Sequence, residues 1–326
     1  METSSPAARR DPLPAEVSEL VAQARQGRPR AVARLISLVE NGSPLLREVT
    51  AELCAARPPR ARVIGLTGSP GVGKSTSTAM LVQAFRKLGR RVGVLAVDPS
   101  SPFTGGALLG DRVRMQDHAT DPEVFIRSMA SRGHLGGLSW ATPQALRVLD
   151  AAGCEVVLVE TVGVGQAEVD IASLADTTVV LLAPGMGDGI QAAKAGILEV
   201  ADVFVVNKAD RDGAQAVVRE LRTMTSQIEG PWRPPIVTTV ASRGEGAEDV
   251  VAALDEHLAY LEESGELDRR RHVRARDEIE AIAVATLRAR FAHLHGDRRL
   301  DALAGRVVSG GLDPYTAADE LLDAAG

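Results

Sequence analysis

The segment Gly68-Ser69-Pro70-Gly71-Val72-Gly73-Lys74-Ser75 has the form GxxxxGK[ST]. It follows directly on a short β-branched apolar run, Val63-Ile64-Gly65-Leu66, and precedes a helical run that begins at Thr76. A strand that turns through glycines into a helix exposes successive backbone N–H groups, and the helix N-terminus adds partial positive charge. Such a turn receives phosphate oxygens. Lys74 is spaced to reach the β- and γ-phosphates and the Ser75 hydroxyl to ligate Mg²⁺, with Thr76 closing the phosphate-binding run 68–76. The strand, loop and helix demand an α/β fold, because the loop is shaped only when both flanks are packed.

The remaining apolar runs agree. Val92-Gly93-Val94-Leu95-Ala96-Val97, Val156-Val157-Leu158-Val159, Thr178-Val179-Val180-Leu181-Leu182, Val203-Phe204-Val205-Val206 and Ile236-Val237-Thr238-Thr239-Val240 are nearly unbroken. Continuous apolar strands are buried on both faces, so a mainly parallel sheet covered by helices is expected. Val124-Phe125-Ile126 adds a further candidate strand. Before the sheet, Val17, Leu20, Val21, Ala24 and then Val32, Leu35, Ile36, Val39 recur at helical spacing, which predicts two amphipathic helices broken at Gly27-Arg28-Pro29 and at Asn41-Gly42-Ser43-Pro44. After it, residues 268–295 read as one long helix with an apolar stripe at Ile279, Ile282, Ala283, Leu287 and Phe291, followed by a short helical tail introduced by Gly310-Gly311 and Asp313-Pro314. The expected organisation is a disordered tip, 1–14, an N-terminal helical extension, 15–57, a P-loop domain, 58–262, and a C-terminal helical arm, 263–326, whose stripe is free to pack on a second copy.

A second motif selects the base. Asn207-Lys208-Ala209-Asp210 follows its own buried strand, as an NKxD loop does. The Asp210 carboxylate can accept both N1–H and the exocyclic amine of guanine, a pair that adenine does not offer. Lys208 would lay its stem along the base plane, and Ser242, Arg243 and Gly244 stand where a backbone donor to guanine O6 is expected. Binding of ATP is the alternative. Three carboxylates are candidates for the magnesium side: Glu160, at the end of the run 156–159 and followed by Thr161-Val162-Gly163, Asp98 after the run 92–97, and Asp111. Gln166 is a candidate to orient water, with an exposed loop glutamine as its other reading. Arg112, Arg127 and Arg132 are candidate cations for phosphate or a partner, or plain ion pairs, and His134 reads as a loop residue.

Composition narrows the partners. Lys plus Arg number 37 against 43 Asp plus Glu, a net charge of −6, and aromatic residues are 3% of the chain. Both speak against a nucleic-acid binder, which needs a basic face or stacking rings. The two cysteines, Cys54 and Cys154, stand apart, so neither a disulfide framework nor a zinc site is expected and a reducing cytoplasm fits. The N-terminus has no apolar signal core, and no apolar run approaches the roughly 18 residues that a membrane span requires.

Several runs together resemble the MeaB/ArgK family of methylmalonyl-CoA mutase-associated GTPases, in the SIMIBI class of P-loop proteins. They are Asp98-Pro99-Ser100-Ser101-Pro102, Gly105-Gly106-Ala107-Leu108-Leu109-Gly110-Asp111-Arg112, the stretch from Ile126 to Gly137, Glu160-Thr161-Val162-Gly163-Val164-Gly165-Gln166, and Asp313-Pro314-Tyr315-Thr316-Ala317-Ala318. The resemblance spans about residues 15–322. It implies a homodimeric, Mg²⁺-dependent GTPase, with GTP and GDP as substrate and product. Its partners would be an adenosylcobalamin-dependent methylmalonyl-CoA mutase or related acyl-CoA mutase, which it protects and reloads, and a cobalamin adenosyltransferase. By the same resemblance Lys74, Asp98 and Glu160 serve catalysis, Ser75, Asp98, Asp111 and Glu160 face the metal, and Asn207, Lys208 and Asp210 hold guanine. Gly185–Glu199, with Asp188, Gln191 and Lys194, resembles a switch that senses the mutase. Two other readings compete: a phosphotransferase on a small substrate, as the older ArgK label has it, and a nickel metallochaperone, against which the lack of a His-rich tract or paired cysteines speaks.

Overall fold

The structure is a computed structural model that describes residues 14–55, 60–98, 118, 120–130, 141–161, 167–185, 200–290 and 298–323. The chain divides into two compact units, Met1–Arg271 and His272–Gly326.

In the first unit the apolar runs form β1 (Arg62–Thr67), β2 (Val92–Asp98), β3 (Val124–Ala130), β4 (Val156–Thr161), β5 (Thr177–Leu182), β6 (Val203–Val206) and β7 (Ile236–Thr238). They make one sheet in the order β3-β2-β4-β1-β5-β6-β7, with every neighbouring pair parallel. β1 lies between β4 and β5, with Leu66 in register with Glu160 and Thr67 with Val180. The chain moves outward from β1 in both directions, and the carboxyl ends at that reversal are where an open parallel sheet receives its ligand. The last expected strand is shorter than 236–240. Beyond Thr238 the chain turns through Ala241–Arg243, and Val240 bridges Glu245 instead of continuing the ladder.

Alternate residues of each strand serve opposite layers. Val157 and Val159 of β4 pack with Leu95 and Val97 of β2, against α1 (Pro14–Arg25), α2 (Pro29–Glu40), α3 (Leu46–Cys54), α5 (Thr142–Ala151) and α6 (Ala167–Leu174). Val156 and Leu158 face the other way, with Ile64, Leu66, Val179 and Leu181, onto α4 (Lys74–Lys87) and α8 (Ala247–Glu263). Val180, Leu182, Phe204 and Val206 carry α7 (Ala214–Thr225). Each fully buried aliphatic or aromatic side chain contributes roughly 1.5–3 kcal/mol before chain entropy is charged against it. The N-terminal helices are thus part of one covering layer of the sheet, and there are three where two were expected. The third, Leu46–Cys54, buries Val49 and Leu53, too short a stretch for periodicity to declare.

At the amino ends of the strands, carboxylates hold the backbone. Asp150 Oδ1 accepts from the N–H groups of Arg60 and Ala61 at 2.8 and 2.7 Å, Asp176 Oδ2 from Val63 at 2.9 Å, and Asp202 Oδ2 from Thr178 at 2.8 Å. Arg270 donates two bonds of 2.9 Å to Asp202, and His257 Nε2 lies 3.2 Å from it. Burial alone would raise the Asp202 carboxyl, but the nearby His257 ring and the hydrogen bonds from Arg270 outweigh it and hold it below the ordinary carboxylate value. Cys154 is buried at the same pole, where desolvation pushes its thiol up to about 12 and leaves it unreactive.

The long helix α9 (Glu266–Arg290) begins in the first unit and continues into the second, which also contains α10 (Arg298–Val308) and α11 (Pro314–Asp323). Asp313 caps α11 through the N–H groups of Tyr315 and Thr316 at 2.9 and 3.1 Å, with Pro314 opening the helix. On α9 the stripe residues Ile279, Ile282 and Leu287 are 68%, 51% and 50% exposed. Phe291 and residues 1–13 lie outside the described residues. Among the described residues no helix is long and apolar enough to cross a membrane.

Candidate functional site

Between β1 and α4 the chain makes its phosphate-type turn. Gly68 (φ 142°) passes so close to β5 that a Cβ would stand 2.3 Å from the Leu181 carbonyl oxygen, and Gly73 (φ 98°) would carry one 2.5 Å from Asn207 Nδ2. Both need a backbone region that side chains disfavour and a space that none fits. Among the described residues no side chain caps the start of α4, whose leading N–H groups face the loop. Lys74, 7% exposed, donates Nζ to the carbonyls of Gly68 at 2.7 Å and Ser69 at 3.2 Å. The ammonium is thereby held at the loop. Pro70 and Gly71 are exposed, Val72 buried and Thr76 half-buried.

β4 delivers Glu160 to the first turn of α4. Ser75 Oγ donates to Glu160 Oε1 at 2.6 Å, and Thr78 Oγ1 to Oε2 at 2.8 Å. Hydroxyl plus carboxylate is the hard-oxygen set that Mg²⁺ takes. These two residues fit the ion. Of the other magnesium-side candidates, Asp111 and the side chain of Asp98 lie outside the described residues, and among the described residues no group of three or more His, Cys, Asp or Glu is placed to hold a metal.

After β6, Asn207 turns inward. Its Nδ2 donates to the Val72 carbonyl at 2.9 Å, and its Oδ1 accepts from Ala241 N at 3.0 Å and Thr239 Oγ1 at 3.2 Å. One side chain joins the β1 loop, the β6 loop and the β7 turn. Lys208 takes φ 58°, a left-handed conformation costing about 1–2 kcal/mol in a residue with a Cβ, and donates Nζ to the Gly71 carbonyl at 2.6 Å. Asp210 meets Arg243 Nη2 at 3.2 Å, and Arg243 also lies 3.7 Å from Glu245. Arg243 is 60% and Asp210 36% exposed, so the pair is weak and the carboxylate stays within reach of a base. Ser242 is exposed and Gly244, at φ 73°, closes the turn.

The structure therefore brings Lys74, Ser75, Glu160, Asn207, Lys208 and Asp210 to one end of the sheet. Arg127 is not with them: it donates to Glu40 at 3.2 Å and to Ser37 at 3.1 Å, which joins β3 to α2. Arg112, Arg132, His134, Gln166 and the trio Asp188, Gln191 and Lys194 lie outside the described residues. Two residues that join the site were missed in the sequence, Thr78 and Thr239. The signal for Thr78 is a hydroxyl three residues beyond Ser75, on the same helical face.

The profile of the family described as "Methylmalonyl Co-A mutase-associated GTPase MeaB" matches residues 32–295. A putative GTPase of Pyrococcus abyssi is 47% identical over 312 residues, 94% of this chain and 96% of that protein. The GTPase ArgK of Escherichia coli is 35% identical over 296 residues, 88% of each chain. Among solved structures, one described as a LAO/AO transport system kinase superposes with a TM-score of 0.69 at 28% identity, covering 96% of this chain and 99% of the other.

Proposed function

The chain belongs to the MeaB family of methylmalonyl-CoA mutase-associated GTPases, and from that premise we propose that it is a GTPase chaperone gating adenosylcobalamin loading and protection of methylmalonyl-CoA mutase or a related acyl-CoA mutase. It is a GTP hydrolase, like the relatives that carry that name. The observation that carries the reading furthest is the pinning of the phosphate loop to the base loop, Asn207 on Val72 and Lys208 on Gly71. Nucleotide occupancy at one loop is thereby felt at the other.

In this reading the α4 N-terminus and Lys74 bind the β- and γ-phosphates, and Lys208 and Asp210 hold guanine, with Arg243 yielding the Asp210 carboxylate to the base. Ser75 and Glu160 hold Mg²⁺, joined by Asp98 and Asp111. When bound, Mg²⁺ neutralises charge that builds on the phosphate oxygens during transfer. The family name is the support for a mutase partner; a cobalamin adenosyltransferase partner, a homodimer built through the arm 263–326 and a cytoplasmic location complete the proposal. Gly185–Glu199 is proposed as the segment that senses the mutase.

The test is GTP hydrolysis by the purified protein with Mg²⁺, with and without a cobalamin-dependent acyl-CoA mutase. Stimulation by the mutase is expected, and Lys74→Ala should abolish nucleotide binding or turnover. An unchanged rate with the mutase removes the chaperone reading. The description of the solved relative as a transport system kinase favours a second reading, phosphoryl transfer to a small substrate. Label from the γ-phosphate appearing on arginine rather than in inorganic phosphate would establish it.

A further inference from the structure

Thr78 is fully buried, a setting in which valine has the same shape and no polar atom to satisfy. A hydroxyl inside a helix ordinarily bonds the carbonyl four residues back, and Thr78 Oγ1 does lie 3.0 Å from the Lys74 carbonyl. It lies closer, 2.8 Å, to Glu160 Oε2. The hydroxyl has one proton, and a carboxylate is the stronger acceptor, so the proton goes to Glu160. Ser75 donates to the other oxygen of the same carboxylate at 2.6 Å. Two hydroxyls three residues apart on α4 thus grip both oxygens of a side chain delivered by β4. The Ser75 bond fixes one carboxylate oxygen and the Thr78 bond fixes the other, so together the two hydroxyls define the plane of the carboxylate against α4.

We propose that Thr78 is a positioning residue for the magnesium-side carboxylate. Its hydroxyl holds Glu160 in the orientation in which the carboxylate meets Ser75 at the start of α4. The inference rests on the reading of Ser75 and Glu160 as residues that hold Mg²⁺.

The test uses the full-length chain and a fluorescent GDP analogue, whose dissociation is followed as Mg²⁺ is titrated; no turnover is involved. Thr78→Val should raise the half-saturating Mg²⁺ on the order of tenfold, the usual size for loss of an outer partner of a metal ligand. Thr78→Ser and Thr78→Ala lose the same methyl and differ in the hydroxyl, so serine should stay near the wild type and alanine should follow valine. That pair decides the matter even if valine misfolds. Equal Mg²⁺ requirements for serine and alanine overturn the inference. Glu160→Gln separates the two levels. If it raises the Mg²⁺ requirement while the Thr78 variants do not, only the role of Thr78 falls. If it changes nothing, the reading of Glu160 falls and the inference with it.

Discussion

Asn207 Nδ2 donates to the Val72 carbonyl at 2.9 Å, so the segment after β6 is bonded to the segment after β1 by a side chain only 3% exposed. Asn207→Ala leaves the Val72 carbonyl and the Ala241 N–H without this partner in a buried place. Orphaned groups of this kind cost about 1–3 kcal/mol each, so a loss of roughly 2–4 kcal/mol is expected in urea unfolding. Affinity for a fluorescent GDP analogue should fall with it. Unchanged stability would mean that the two loops are not coupled through this side chain.

Asp210→Asn should shift base preference from guanosine to xanthosine triphosphate, because the amide can donate to the xanthine O2 that a carboxylate repels. Stability should hardly move, since the Asp210 carboxylate pairs with an exposed arginine and such pairs are worth about 0–1 kcal/mol. Competition between the two nucleotides for the variant reads the preference directly. Retained preference for guanosine would remove Asp210 from the base site.

Acid sensitivity is expected to run through Asp202. Its carboxyl is held below the ordinary value in the folded protein, so its stabilisation is present above the unfolded value near ~3.9 and is lost as pH falls through the folded value. Asp202→Asn should therefore destabilise the protein at pH 7, by up to the ~3–5 kcal/mol of a buried ion pair that loses one charge, because it weakens the tie to Arg270, and should flatten the loss of stability below pH ~4. Parallel stability curves for the two proteins against pH would contradict this.

If α9 carries the contact between two copies, Ile282→Asp together with Leu287→Asp should halve the mass measured by light scattering. Both side chains are half exposed, so burial in the monomer gives no reason for the fold to fail, and the circular dichroism spectrum should be kept. An unchanged mass would place any dimer contact elsewhere.

How much of this was legible in the chain depended on the reach of each interaction. The turn 68–75 announces itself because its glycines, Lys74 and Ser75 are neighbours in sequence, and the strand runs do so because two-sided burial writes an unbroken apolar stretch. Arg127 was open between phosphate, partner and ion pair, and nothing local points to Glu40, 87 residues away. The helix Leu46–Cys54 escaped notice because two buried residues make no period.

From the sequence alone came the parallel sheet, the phosphate turn, the preference for guanine and the family, all carried by residues close together or by repeated local patterns. The strand order, the joining of Asn207 to Val72, the grip of Ser75 and Thr78 on Glu160, and the tie from Arg270 to Asp202 were decided by tertiary structure. The physical reason is that a side chain's alternatives are local and countable, whereas its partner across the sheet is chosen by how every strand and helix packs at once.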